Sequence, residues 1–193
     1  MATNASNPQP NSVISSILNT TGIENFYNVA AANDFARNNL FRVMRIGDTR
    51  FTPDQLLYIT TTTLPARAVT NVEVPFMGLR FNVPGTATYP GSGNWNVTFR
   101  VPSDLSVRTA LENWTTDVFN DQYSTGAYNI PSRDVSNQIE IYLLSKMGVP
   151  IRQYTLYGAW CQQVSELQLD ITSTGDVLTQ QAVLAYQFWR ITG

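Results

Sequence analysis

The stretch Asn-Trp-Asn-Val-Thr-Phe-Arg-Val at residues 94–101 alternates polar and apolar side chains without a break. Successive side chains of a β-strand point to opposite faces, so a period of two predicts a half-buried strand. We expect the apolar members to face a core; they are Trp95, Val97, Phe99 and Val101. The stretch therefore predicts a sheet with one apolar face and one polar face.

Period-two stretches also lie on both sides of this strand, at residues 40–46, 57–64, 69–76, 79–83, 138–144, 151–160, 166–171 and 177–191. The last stretch exceeds the roughly ten residues of most strands, so we expect it to be bulged or to serve a large sheet. One segment has helical spacing instead and predicts an amphipathic helix over residues 104–119, with Ser103 as its N-cap. The sequence thus predicts a mainly antiparallel β protein with one packed helix.

The N-terminal region differs in composition from the rest of the chain. Residues 1–20 are rich in Asn, Ser, Thr and Pro, which predicts an arm that is flexible or becomes ordered on assembly. Val13, Ile14, Ile17 and Leu18 have the spacing of a short helical turn within it. A second short helix is predicted over residues 23–32. We divide the chain into an N-terminal arm, residues 1–22, and one domain, residues 23–193. We expect neither a secretory signal nor a membrane span.

The charge composition is unusual for a free surface. Charged residues make up 13% of the chain, against about 25% in typical proteins, and Lys146 is the one lysine beside eleven arginines. Arginine is enriched and lysine depleted in protein interfaces. This bias favours a surface largely covered by partners over compositional drift in a Ser/Thr/Asn/Gln-rich chain. The net charge of −2 argues against sequence-independent binding of nucleic acid, but not against nucleic acid passing through a cavity.

The residue types needed for most enzyme chemistry are missing. The chain has no histidine and a single cysteine, which excludes catalytic triads with histidine, imidazole metal sites and zinc knuckles. Carboxylates at Glu140, Glu166 and Asp170 fall on predicted strands, where solvated faces or salt bridges are favoured over acid–base pairs. Cys161 is predicted to be a small buried residue. We predict a non-enzyme with no catalytic, cofactor-binding or metal-binding residues.

The predicted closing hairpin, residues 166–171 and 177–191, is long and carries few charges. Such strands leave unpaired edges that invite aggregation. A barrel closed between subunits removes those edges, so the pattern indicates assembly into an oligomeric ring.

Five segments, in order, resemble the tail tube proteins of contractile-tailed bacteriophages. The first segment is Asp-Phe-Ala-Arg at 34–37 with Asn-Leu-Phe at 39–41, and the second runs from Thr-Leu-Pro at 63–65 through Pro-Phe-Met at 75–77 to Asn82, Val83 and Gly85. The third is Trp-Asn-Val-Thr-Phe at 95–99, followed by the helix with Trp114. The fourth is Tyr-Gly-Ala-Trp at 157–160 with Val-Ser-Glu-Leu-Gln-Leu-Asp at 164–170, and the fifth is the last strand, ending at 186–189. The resemblance spans about residues 24–191. The N-terminal arm and the loops at 84–93 and 122–137 depart from the pattern.

The resemblance implies a fold of two packed antiparallel β-sheets, sandwich-like or barrel-like, with one flanking helix. The inner strands would join a hexameric β-barrel, and the rings would stack head to tail into the inner tail tube through which DNA is ejected. The implied partners are the tail sheath protein, the baseplate and tail terminator proteins, and the tape-measure protein and phage DNA in the lumen. The protein would be assembled in the host cytoplasm and remain in the virion, without binding a membrane.

Two groups of residues are the candidate sites. The mixture of apolar, methionine and arginine side chains in residues 63–80 is typical of an interface core, and we expect contacts between rings at Leu64, Pro65, Arg67, Phe76, Met77 and Arg80. An intrachain core position is the alternative for Phe76 and Met77. Polar strand positions suit a wet channel, and the candidates for facing the lumen are Asn94, Asn96, Thr98, Thr179 and Gln181.

Two alternatives remain open at this stage. One is the tube of a type VI-like or pyocin-like contractile injection system, which delivers protein and has the same fold. The other is a carbohydrate-binding β-sandwich module, which needs an exposed aromatic platform or a carboxylate pair.

Overall fold

The computed structural model describes residues 21–33, 35–126 and 134–193. The chain divides into two compact units, Met1–Asn39 and Leu40–Gly193. The helical turn predicted within residues 1–20 lies outside the described residues. The division into an N-terminal arm, residues 1–22, and a domain, residues 23–193, stays a prediction.

The described part of the first unit contains one helix, α1 (Thr21–Asn33), which confirms the short helix predicted over residues 23–32. Its apolar side chains, among them Ile23 and Phe26, are exposed, and the Phe26 ring lies 6.0 Å from the ring of Phe35. Amphipathic helices owe most of their stability to packing of the apolar face, so this helix presents a surface suited to further contact.

The second unit is mainly β. Its elements in chain order are β1 (Phe41–Ile46), α2 (Pro53–Leu56), β2 (Ile59–Thr62), β3 (Ala68–Phe76), β4 (Leu79–Thr88), β5 (Trp95–Arg100), α3 (Ser106–Val118), β6 (Phe119–Asn120), β7 (Thr125–Gly126), a 3₁₀ turn (Val135–Asn137), β8 (Gln138–Leu144), β9 (Pro150–Tyr157), β10 (Trp160–Val164), β11 (Thr179–Ala185) and β12 (Phe188–Ile191).

Two four-stranded antiparallel sheets dominate this unit. The first sheet has the strand order β1-β8-β9-β12 and the second the order β10-β11-β5-β2. β3 pairs with β4, and β6 with β7, in separate two-stranded sheets. The predicted mainly β fold of antiparallel sheets with a flanking helix is confirmed.

The core lies between the apolar faces of the two sheets. The alternation predicted for β5 is confirmed, because Trp95, Val97 and Phe99 are buried while Asn96 and Arg100 are exposed. The facing sheet and α3 supply the other large members of the core, among them Ile139, Ile141, Leu156, Leu111 and Trp114. Burial of apolar surface is the main favourable term in folding, so these positions hold the two sheets together.

The helix predicted over residues 104–119 is confirmed as α3, but the predicted Ser103 cap is wrong. The N-cap is Leu105, in a left-handed conformation with φ of 55°. Asp104 Oδ1 instead accepts a hydrogen bond from the backbone N–H of Ser106 at 3.0 Å, and this bond lowers the pKa of Asp104. The side chain therefore closes a turn just before the helix rather than capping it.

The two strands predicted near the C-terminus are arranged differently from the prediction. The stretch 177–191 is two strands, and the chain crosses from the second sheet to the first at Tyr186 and Gln187. Residues 166–171 form no strand despite their alternation; β10 is the partner of β11 instead. Alternation predicts which face a residue takes, whereas a strand also needs a hydrogen-bonding neighbour, which the described residues do not supply here.

Truncation of a core leucine tests the packing of α3 on the sheets. Leu111→Ala should lower the free energy of unfolding by about 2–5 kcal/mol, because a fully buried side chain is replaced by a cavity. The matched variant Leu57→Ala removes an exposed side chain and should change it by less than about 0.5 kcal/mol. Urea unfolding followed by tryptophan fluorescence measures both, and equal losses would contradict this placement of the core.

Candidate assembly surfaces

The most exposed element of the second unit is the long hairpin β3–β4, residues 68–88. It is called the arm from here on and is distinct from the N-terminal arm of residues 1–22. Almost every residue of both strands is exposed on both faces. Its cross-strand pairs include the apolar ladder Val72–Val83, Val74–Phe81 and Phe76–Leu79. A monomeric protein rarely leaves so large an apolar surface in water, which marks the arm as a contact surface.

The turn at the end of the arm is strained. Met77 and Gly78 are its two central residues, with φ of 47° and 81°, as in the tight turns that match the twist of a hairpin. Glycine adopts this conformation readily, but methionine does so at a cost. Met77 is 89% exposed at the apex, and Phe76 beside it is 61% exposed. Neither side chain belongs to the core of this chain.

The six residues predicted to contact a neighbouring ring are spread along the arm and its base. Leu64 and Arg67 lie exposed in the connection before β3, with Pro65 half-buried between them. Phe76, Met77 and Arg80 lie around the tip, where Arg80 Nη1 is 3.3 Å from a carboxylate oxygen of Glu73. The structure therefore places these residues at two ends of one projecting element, with the tip the more exposed.

Two tryptophans hold the base of the arm. The indole N–H of Trp95 donates to the carbonyl of Thr63 at 2.7 Å, and that of Trp189 donates to the carbonyl of Ala66 at 2.9 Å. Trp95 belongs to the second sheet and Trp189 to the first, so both sheets orient the same connection. This role is not visible in the sequence, because donation to a carbonyl far along the chain leaves no local pattern.

A bulge near the base of the arm requires glycine. The register shifts between Val69 and Asn71, where Gly85 lies opposite Thr70. A Cβ at Gly85 would lie 2.6 Å from Thr70 Oγ1 and 2.9 Å from Val72 Cγ2. Thr70 Oγ1 also accepts a hydrogen bond from the Thr86 N–H at 3.0 Å. The close approach of the two strands therefore depends on the absence of a side chain at this position.

The polar candidates for a channel surface come together on the second sheet. Thr98 of β5 is opposite Gln181 of β11, and Asn96 and Thr179 lie on the same face of those two strands. Asn94 lies just before β5, outside the regular strand. Arg100 is the charged side chain that the described strands place on this face. The result is a mainly polar, nearly uncharged surface on the side of the sheet away from the core, with Val183 opposite Asn96 on the same face.

The same sheet has two open edges. β2 pairs only with β5 and β10 only with β11 among the described strands. Unpaired backbone N–H and C=O groups at such edges are templates for pairing with another chain. The second sheet thus combines a polar face with lateral edges able to add strands.

The described residues offer little for catalysis. They contain no group of three or more His, Cys, Asp or Glu side chains placed to hold a metal ion. Cys161 is buried, and burial raises its pKa to about 12, so the thiol stays protonated and unreactive near neutral pH. Of the three carboxylates considered above, Glu140 forms an ion pair with Arg45, with 3.6 Å between Oε1 and Nη2. The other two, Glu166 and Asp170, lie in an irregular segment.

A family model described as "Phage tail tube protein" matches residues 23–192. The chain belongs to the phage tail tube protein family. The resemblance to tail tube proteins of contractile-tailed phages is thereby confirmed, and the place of the chain is in the tail of a virion. No helix in the described ranges combines the length and apolar character needed to cross a membrane.

Two curated relatives and two solved structures are similar to this tail tube family member. It is 28% identical to tail tube protein gp19 of Enterobacteria phage T4 and 26% identical to that of phage T6, in each case over 82% of this chain and 93% of the relative. One chain of the sheath–tube complex of the extracellular contractile injection system PVC is 17% identical, with a TM-score of 0.55 over 86% of this chain and 96% of that chain. The tube-terminating cap of the anti-feeding prophage is 18% identical, with a TM-score of 0.55 over 83% and 96%. At these identities the structures support the fold.

Hydrogen exchange tests the requirement for glycine in the arm. Gly85→Ala should open the arm locally and speed exchange of the β3 and β4 amides by about fivefold or more, since overpacking costs about 1–3 kcal/mol. Gly93→Ala is the control, because its added Cβ meets nothing within 4 Å. Equal exchange rates in the two variants would contradict the bulge geometry.

Proposed function

We propose that this protein forms rings of six subunits that stack head to tail into the inner tube of a contractile phage tail. The observation that carries the proposal is the second sheet, which has two open edges and a polar face turned away from the core. Pairing of β2 of one copy with β10 of the next satisfies both edges and closes the sheet into a barrel. The number six comes from the family resemblance.

The polar face of the second sheet would line the channel. Asn96, Thr98, Thr179 and Gln181 give a wet surface, and Arg100 is the cation among the described strand residues on it. A surface with few cations gives DNA little to bind, and the net charge of −2 adds a weak repulsion. We propose that DNA passes through this lumen during ejection, after the tape-measure protein has left it. The protein serves as a conduit and not as an enzyme.

The further partners follow from the position of a tube in a tail. The solved structures of similar fold include a complex of a tube with its sheath and a tube-terminating cap. We propose that the outward surface of this chain contacts a sheath protein, and that the ends of the tube contact baseplate and terminator proteins. The bias toward arginine over lysine supports extensive coverage of the surface.

A second candidate function is the tube of a contractile injection system that delivers protein. The observation that favours it is the fold shared with the extracellular contractile injection system tube. The family match and the phage relatives favour the phage tail. The two functions differ in cargo. Particles purified from a producing strain should contain DNA that is ejected through the tube if the tube belongs to a phage, and should contain none if it delivers protein.

Microscopy tests assembly and the part taken by the arm. Purified protein should form hollow tubes or six-fold rings in negative stain, and Phe76→Asp should abolish stacking because it places a charge in an apolar contact. The variant should keep the unfolding midpoint of the unmodified chain, since Phe76 is exposed. Phe76→Leu preserves the apolar surface and should still assemble. Normal tubes from Phe76→Asp would show that the arm tip has no part in stacking.

Gold labelling tests which sheet face lines the channel. Thr98→Cys tubes treated with a small maleimide–gold cluster should carry gold along the tube axis. Arg42→Cys is the control, because Arg42 lies on the outer face of the first sheet, away from the core, and should carry gold along the outside. Buried Cys161 should not label in either variant. Gold on the outside of Thr98→Cys tubes would overturn the proposed lumen.

A further inference from the structure

The arm and a second projecting segment leave opposite ends of the second sheet. β2 ends and β5 begins at the Trp95 end, and the arm connects them. β10 ends and β11 begins toward the other end, where Thr179 is opposite Arg100. The segment that connects β10 and β11, residues 165–178, is named here the end loop. The six-residue length of β5 places the two ends about 20 Å apart.

The end loop is concave and partly apolar. The loop and the first residue of β11 line an open recess of about 790 Å³; the lining residues are 166–171, 173 and 175–179. Ile171 on this loop is fully exposed, and Leu169 and Val177 are largely exposed. Leu167, Leu169 and Ile171 alternate as in a strand, yet the segment has no strand partner among the described residues. A recess with exposed large apolar side chains is the kind of surface that partners cover.

The arm tip is the convex counterpart. Phe76, Met77 and Leu79 form an exposed apolar knob at a two-residue turn. Met77 is held at the apex in a strained conformation, and such strain tends to mark functional positions. Methionine is flexible and polarisable, so it fills irregular apolar recesses well. The tip is therefore a convex apolar surface, whereas the end loop is a concave and partly apolar one.

The charges of the two surfaces are also opposite. The end loop contains Glu166, Asp170 and Asp176 and no basic residue. Hydrogen bonds from the hydroxyl and the backbone N–H of Thr172 lower the pKa of Asp170, so this carboxylate stays charged at neutral pH. Arg67 lies at the base of the arm, away from the tip, so Arg80 is the cation near the tip that can meet the acidic end loop. Arg80 Nη1 is 3.3 Å from Glu73 Oε2, but its side chain is largely exposed and can also reach a carboxylate of a partner. A cation beside an apolar contact with an acidic surface favours the correct partner and register.

We propose that the arm tip of one copy docks into the end loop of a second copy. This inference rests on the proposed tube and names the two surfaces that meet between rings. Each copy carries the knob at one end of the second sheet and the recess at the other, so the contact is heterologous and repeats without closing. A contact between two arms would instead place Arg80 near Arg80 and stop at a pair.

The start of the end loop is held in place before any partner binds. The Gln180 side chain is fully buried, and its Nε2 donates to the carbonyl of Ser165 at 2.8 Å. Arg108 of α3 donates through Nη1 to Gln180 Oε1, also at 2.8 Å. These bonds fix the point at which the loop leaves the sheet, which reduces the entropy lost on docking.

Cysteine cross-linking of assembled tubes tests the inference. The double variant Met77→Cys/Ile171→Cys, assembled and mildly oxidised, should give a ladder of covalent oligomers on a non-reducing gel, because each copy links to a different neighbour at each end. The matched control Met147→Cys/Ile171→Cys moves the first cysteine to the exposed turn between β8 and β9 and should give no ladder. Single variants should stay monomeric on the gel, and buried Cys161 should not contribute.

Each other result overturns the inference. A double variant that forms normal tubes in negative stain but gives no ladder refutes the end loop as the acceptor and leaves the tube itself intact. Covalent dimers from Met77→Cys alone show that arms meet arms. Failure of the unmodified chain to form rings or tubes refutes the proposed function and the docking together.

Discussion

The open edges of the second sheet are the constraint on which the rest of the structure depends. Each buried backbone N–H and C=O must find a partner, and antiparallel strands meet that demand inside the sheet but not at its margins. β2 and β10 therefore leave the second sheet with two unpaired edges, although core residues such as Val97, Phe99 and Leu184 are fully buried. The interior is complete in one copy, and in the proposed ring the edges are completed by neighbouring copies. The low content of charged residues, 13% of the chain, suits a protein whose sheet edges remain open in the single copy.

The surfaces that await a partner point in different directions. The edges of the second sheet lie at its sides, whereas the arm and the end loop leave its two ends. In the proposed assembly, side-to-side pairing makes a ring and end-to-end docking makes a stack, so one subunit carries both kinds of contact. Because the knob and the recess differ, the proposed stacking has one polarity, and the two ends of the tube present different surfaces.

Buried residues connect the fold to these outer surfaces. Trp95 and Trp189 pack within or against the core, yet their indole N–H groups hold the base of the arm. Gln180 lies wholly inside the protein, yet it fixes the start of the end loop through Ser165. A change in the core can therefore alter assembly without touching a contact between subunits. The projecting elements are long, but their points of departure are rigid.

Sequence alone determined the class of this protein, because alternation and helical spacing are local properties of a chain. The period of two at residues 94–101 predicted β5 and its buried face, the spacing around Trp114 predicted α3, and the missing histidine excluded most catalysis. The sheet switch at Tyr186 and the absence of a strand at residues 166–171 were decided only by tertiary structure, because strand pairing depends on neighbours far along the chain. The same holds for the site. Composition pointed to residues 63–80, whereas the opposite placement of arm and end loop, and the indole bonds that orient the arm, follow from strand order and register, which no local pattern encodes.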